Sequence, residues 1–359
     1  MRPYTYYQSA KRIELSQLVP LPGPMTIFLE PTNICNFKCV FCPESFSDYK
    51  EQAGGLFQLS LPDYQMVARE IKELGTVKVI NFYMLGEPFV NKRLPEFITI
   101  AKRDSVSERV IVTSNGSLIR SDVHEAIVHS GLDYLRISIY GGTRDTQKAN
   151  AQSAIPLETI RQNILGLRRM RDSKRSERPF IYVKMIDTQN TADNEAFINN
   201  FRDIADEVVL EPLHSWNNPE EGNLAGMSSE ALLATDYFAQ KKEVCPFLFY
   251  TLVIHSDLQV SVCCTDWNKK LVIGSLREQS LRDIWNGDRL RTLQLMHLER
   301  RRHEIEGCKN CTFLHTGRDN LDPLTPTDFK ARIRSHLEIA PVDTHRRDFP
   351  TVLVAIRTD

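Results

Sequence analysis

From Pro24 onward the chain alternates short β-rich runs with stretches whose apolar residues recur at helical spacing. Residues 26–30, 77–84, 109–114, 134–140, 180–187 and 207–211 are dense in Val, Ile, Leu, Phe and Tyr, which predicts six strands. Amphipathic patterns at 62–74, 94–102, 121–129, 157–171 and 194–205 predict the helices between them. Six strand-helix units in succession imply a parallel sheet, because parallel neighbours can be joined only through a crossover. The first long helix carries its own start and stop signals: Ser60 as N-cap, Pro62 just inside, Asp63 in the first turn and Gly75 beyond the end.

The pattern changes after the sixth strand. Asn217, Asn218, Pro219, Glu220, Glu221, Gly222 and Asn223 form a polar run that can bury little, so a domain junction is expected there. Beyond it, 250–255 and 258–263 read as the arms of a hairpin turning at Ser256-Asp257, followed by helical text through Ile284, Trp285 and Leu293. The last segment has weak periodicity and Pro323, Pro326, Pro341 and Pro350, and is expected to wrap the surface. The resulting division is an N-terminal extension 1–24, a strand-helix domain 25–216, a linker 217–240, a cysteine-rich domain 241–320 and a tail 321–359. There is no internal repeat and no low-complexity tract.

Composition narrows the function. With 46 acidic and 45 basic residues the formal net charge is -1, so no global field favours nucleic acid or an anionic membrane. The basic run Arg168, Arg169, Arg171, Lys174, Arg175 and Arg178 closes a predicted helix, where cations oppose the helix dipole, and reads as a solvated face. Residues 1–16 lack the apolar core of a signal peptide, and no apolar run approaches the roughly 18 residues of a membrane span. A soluble, cytoplasmic protein is expected. In that compartment eight cysteines point to metal or catalytic use, because disulfides are disfavoured there.

The cysteines fall into two groups. Cys35, Cys39 and Cys42 follow the first strand directly, and Cys245, Cys263, Cys264, Cys308 and Cys311 lie in the second domain. Three thiolates spaced Cys-x3-Cys-x2-Cys can hold three irons of a cubane and leave the fourth without a protein ligand; a zinc site would want a fourth local Cys or His. In the second group Cys245, Cys263, Cys308 and Cys311, separated by 18, 45 and 3 positions, supply the four thiolates that fully ligate a 4Fe-4S cluster. A structural zinc knuckle would use the same four. The adjacent Cys264 could replace Cys263 by a shift of one residue, and Cys263 is the expected ligand.

The stretch Glu30-Pro-Thr-Asn-Ile-Cys35-Asn-Phe-Lys-Cys39-Val-Phe-Cys42-Pro43 resembles the cluster loop of the radical S-adenosylmethionine (SAM) superfamily. That resemblance implies an α/β fold, a partial (βα)6 barrel over about 25–212. Gly86-Glu87-Pro88 is similar to the family motif that binds the SAM amino group, with Leu85 where the family has its first Gly. Ser114, Asn115 and Ser138, at or just beyond the ends of strands, would face the ribose and methionyl parts of SAM. Lys184 and Asp187 could meet the SAM carboxylate or the substrate. Cys245-Pro246, Asp266, Ile284-Trp285-Asn286 and Cys308-x2-Cys311 resemble the small C-terminal SPASM/twitch extension that holds auxiliary clusters. Five cysteines outside the first group suffice for one such cluster. The extension's hairpin usually turns on Gly, whereas this chain has Ser256-Asp257-Leu258.

The resemblance implies reductive cleavage of SAM to a 5′-deoxyadenosyl radical, with SAM, a SAM-binding 4Fe-4S cluster and an auxiliary 4Fe-4S cluster as cofactors. It also implies a flavodoxin or ferredoxin-type electron donor. The auxiliary spacing resembles that of alcohol-oxidising members, so a sugar or aminocyclitol-like alcohol oxidised to a ketone is the expected reaction. Glu211, His214 and Trp216 are candidates for base and substrate contacts. Three alternatives stay open: an epimerase in which Cys264 donates a hydrogen atom, a peptide maturase, and a non-enzymatic iron-sulfur carrier. Only about 25 residues precede the first strand, too few for the extra peptide-binding domain that maturases often carry.

Overall fold

A computed structural model of the chain describes residues 14–40, 42–187, 190–211, 241–317 and 319–338. The six expected strands form as β1 (Thr26–Leu29), β2 (Val77–Phe82), β3 (Ser107–Ser114), β4 (Tyr134–Ile139), β5 (Phe180–Ile186) and β6 (Glu207–Glu211). They pair in chain order and all in parallel. Each strand has two faces by the two-residue period. On the outer face Ile80, Phe82, Val110, Val112, Leu135, Ile137, Ile181 and Val183 meet the crossover helices in one buried core. The helix Leu61–Leu74 turns Tyr64, Val67, Ala68, Ile71 and Leu74 onto that core, and Tyr64 stacks on Phe97 with ring centroids 4.3 Å apart. Its start is capped as expected, the Ser60 hydroxyl accepting from the Asp63 amide.

Two helices lie outside the expected pattern. The hydrophobic pattern gives no sign of the helix Arg144–Ala151. Its RDTQKANA text has almost no apolar stripe, so periodicity cannot reveal it; a capping box between Thr143 and Thr146 starts it instead. Asp193, from a different helix, reinforces that start by accepting from the amides of Gly142 and Thr143 and from the Thr146 hydroxyl. The second departure is in the tail, where Pro326–Glu338 forms a helix and Phe329 is fully buried.

The cysteine-rich domain extends the same sheet. β7 (Thr251–Ile254) lies parallel to β1, then β8 (Gln259–Ser261) and β9 (Val272–Ser275) add antiparallel, giving the order β6-β5-β4-β3-β2-β1-β7-β8-β9. The turn between β7 and β8 holds Leu258 at φ +73°, in the left-handed region that favours glycine. Its side chain is almost fully buried, which offsets the backbone cost. The helix Leu281–Asn286 ties the cysteine-rich domain to the strand-helix domain and to the N-terminal extension. The Leu281 amide donates to Glu70 at 2.8 Å, and the Trp285 indole donates to the Leu21 carbonyl at 3.0 Å. Residues 217–240, expected as a linker, lie outside the described residues, as do His214 and Trp216. Among the described residues no helix is long and apolar enough to cross a membrane.

Candidate functional site

The first cysteine loop leaves the C-terminal end of β1 and is held from three sides. The Asn33 side chain brackets the strap from Gly55 to Phe57, donating to the Gly55 carbonyl and accepting from the Phe57 amide. The Lys38 and Val40 amides donate to the carbonyls of Ala151 and Asn150, at the end of the helix that the hydrophobic pattern hides. The Glu87 amide donates to the Ile34 carbonyl at 3.0 Å, which ties the loop to the end of β2. That last approach requires Gly86. It sits at φ +72°, and a Cβ there would overlap the Thr32 carbonyl and press on the Ile34 amide.

Glu87 is almost completely buried. Its carboxylate accepts from the Ser114 hydroxyl and the Asn115 amide, both at 2.7 Å, and from the Phe89 amide at 3.1 Å. Burial pushes its pKa up to about 7, against the pull of these three donors. Gly86, Glu87, Pro88, Ser114 and Asn115 are thus one assembly at the ends of β2 and β3. Because the Glu87 carboxylate is already engaged, this assembly has backbone groups to offer a ligand. Asn115 in turn donates to Asn36 inside the cysteine loop at 2.9 Å.

Cys35, Cys39 and Cys42 are each at least half buried, and burial raises all three thiols well above their ordinary range. An all-sulfur donor set in apolar surroundings suits iron-sulfur ligation, since bound metal supplies the charge that ionises the thiols. The second group fits more clearly. Cys245, Cys263, Cys308 and Cys311 line one cavity whose remaining wall is mainly Phe247, Leu248, Val262, Leu271, Phe313 and Leu314. Cys264 is not on that wall. It packs instead against the aromatic cluster around Phe28, Tyr49 and Trp267, which Cys42, Phe46 and Tyr83 also border. Among the described residues, no three His, Cys, Asp or Glu side chains gather as a site for a single metal ion.

Across the inner face of the sheet lies a charged group that only part of the sequence reading anticipated. Ser138 on β4 pairs in register with Lys184 on β5. Lys184 Nζ donates to Glu211 at 2.6 Å, the Tyr182 hydroxyl to the same carboxylate at 2.9 Å, and Arg136 Nη2 at 3.0 Å. Arg136 and Tyr182 were missed, although strict alternation along β4 puts Tyr134, Arg136 and Ser138 on one face. Glu211 was a candidate base. Here burial raises its pKa, but Lys184 and Arg136 outweigh that and hold it at about 2, so the carboxylate is a poor proton acceptor and a good anchor. Asp187 is engaged by the Asn194 amide at 2.8 Å.

Glu211→Gln should therefore cost about 3–5 kcal/mol, because it leaves Lys184 and Arg136 without their shared counter-ion in a largely buried site. The sign follows from a depressed folded-state pKa. The contribution is complete above the ordinary carboxylate value of 4.5 and disappears as pH falls towards 2. Urea midpoints of wild type and variant should differ at pH 7 and converge in acid. A difference that does not narrow in acid would contradict the assignment.

Comparisons with known proteins agree with this geometry. Residues 29–176 match the radical SAM superfamily, and residues 245–312 match the SPASM iron-sulfur cluster-binding domain. The S-adenosyl-L-methionine-dependent 2-deoxy-scyllo-inosamine dehydrogenase of Niallia circulans is 21% identical over 79% of this chain and 91% of its own length. PqqA peptide cyclase of Granulibacter bethesdensis is 23% identical over 90% of this chain and 94% of its own. Among solved structures, BtrN in complex with AdoMet and 2-DOIA shares the fold at a TM-score of 0.51, with 19% identity, over 80% of this chain and 92% of that one. The chain thus carries a radical SAM domain at residues 29–176 and a C-terminal SPASM domain at residues 245–312, which together imply SAM, a SAM-binding 4Fe-4S cluster and an auxiliary iron-sulfur cluster as its cofactors.

Proposed function

We propose that the protein is a radical SAM oxidoreductase that converts a secondary alcohol of a small polar substrate, sugar-like or aminocyclitol-like, to a ketone. The observation that carries this reading is the single cavity lined by Cys245, Cys263, Cys308 and Cys311. Four thiolates satisfy every iron of a 4Fe-4S cluster, so no iron is open to bind substrate and the role left is electron acceptor. When bound, SAM and the cluster at Cys35, Cys39 and Cys42 supply one-electron chemistry able to remove a hydrogen atom from unactivated carbon.

The chain's own residues do the rest. The Gly86 approach and the Glu87 assembly fix the cysteine loop against the ends of β2 and β3, where SAM would lie. Phe28, Tyr83 and Trp267 line the aromatic cluster beside it and exclude water from a reactive radical. Lys184 and Arg136, held by Glu211, present cationic donors to hydroxyl or other oxygen groups of the substrate. A flavodoxin or ferredoxin-type protein would deliver the initiating electron.

One observation supports a second reading. Cys264 borders the aromatic cluster together with Cys42, outside the auxiliary cavity, which leaves a thiol near the first cysteine group that an epimerase could use as a hydrogen donor. Mass spectrometry of product formed in heavy water separates the two. Dehydrogenation gives a ketone with no solvent deuterium fixed at the reacting carbon, in wild type and in Cys264→Ala alike. Product at unchanged oxidation level carrying one deuterium, and abolished by Cys264→Ala, would replace the dehydrogenase reading with epimerisation.

A further inference from the structure

His297 stands in the wall of the auxiliary cavity with Cys245, Cys263, Cys308 and Cys311. Its Nδ1 accepts from the Cys245 amide at 3.2 Å. An amide nitrogen only donates, so Nδ1 carries a lone pair, and the ring is the neutral tautomer with its proton on Nε2. The side chain is 1% exposed, and among the described residues Nε2 has no hydrogen-bond partner. A buried N–H without an acceptor costs about 1–3 kcal/mol, and apart from the four cysteines, Arg302 and Gly307 the cavity wall around it is aliphatic and aromatic. The nearby polar group, Arg302, is itself a donor, its Nη1 reaching the Cys308 carbonyl at 2.8 Å. Besides His297 itself, the side-chain acceptors lining the cavity are the four cysteine sulfurs.

We propose that His297 Nε2–H donates a hydrogen bond to a sulfur of the cluster held by Cys245, Cys263, Cys308 and Cys311, and so raises that cluster's reduction potential. A donor aimed at cluster sulfur stabilises the reduced state, which carries one more negative charge, over the oxidised state. His297 is thus a positioning and tuning residue. Through Nδ1 it fixes the Cys245 backbone, and through Nε2 it makes the cluster a readier one-electron acceptor. The inference depends on the cluster's ligands and not on which substrate is oxidised.

Two substitutions separate these tasks. In His297→Asn the side-chain oxygen can replace Nδ1 as acceptor for Cys245, but no donor reaches the cavity. In His297→Gln the amide nitrogen can reach the place of Nε2. The measurement is an EPR-monitored redox titration of the anaerobically reconstituted full chain. The Asn variant should lower the auxiliary potential by the equivalent of a tenfold or larger change in its reduction equilibrium, about 59 mV for one electron. The SAM-binding cluster should not move, and Gln should restore most of the difference. An auxiliary potential unchanged in a cluster-loaded Asn variant overturns the proposal. If neither variant takes up the cluster, ENDOR of the reduced wild type with 15N-histidine, in water and heavy water, decides. An exchangeable proton coupled to the cluster alongside a histidine nitrogen is the expected result, and absence of both signals overturns it.

Discussion

Replacing Cys35, Cys39 and Cys42 together by alanine should leave an anaerobically reconstituted protein with about four iron atoms per chain where wild type holds about eight, and with no SAM cleavage. The expectation rests on a division of labour that the fold makes physical. The first group lies on one loop at the end of β1, and the second lines a separate cavity beyond β7. Removing three thiols from the first group touches none of the four on that cavity, so the second cluster should survive with its spectrum intact. Iron determination and chromatographic detection of 5′-deoxyadenosine give the two readouts. Stoichiometric zinc in wild type, with no iron uptake, would sink the cluster assignment at both groups.

The second large effect belongs to the pair Cys263 and Cys264, neighbours in sequence with opposite surroundings. Cys263 is on the cavity wall and lies 3.2 Å from the Thr265 hydroxyl, whereas Cys264 borders the aromatic cluster; burial raises both thiols. Cys263→Ala should lose the auxiliary cluster, and with it the proposed ketone formation, while reductive SAM cleavage persists at the other site. Cys264→Ala should keep the full iron content. The reverse pattern of iron loss would move the ligand by one residue and require the β8 end to turn over.

Much of this was legible in the sequence because the relevant signals are local. Strand positions, the Ser60 cap and both cysteine spacings depend on neighbours a few residues apart. What escaped depends on distant partners. The helix Arg144–Ala151 is specified by Thr143, Thr146 and the remote Asp193, with no apolar stripe to show it. β9 contains Gly274, which weakens a strand signal, and forms because β8 offers it an edge. Arg136 reads as an isolated charge in an apolar strand until Glu211, which ends β6, arrives beside it. Glu211 itself was visible as a candidate, but its role turns on two cations supplied by other strands.

β1 is hydrogen-bonded on both sides, to β2 within the barrel and to β7 of the cysteine-rich domain. The second domain is therefore no detachable bead. Cutting it away would bare the β1 edge immediately before Cys35, an unpaired template of the kind that drives aggregation. A truncated barrel that failed to load its first cluster would report a frayed strand before it reported a missing auxiliary centre. Chimaeras that exchange auxiliary domains between relatives should accordingly carry β7 with its native β1 partner, placing the seam outside that pair.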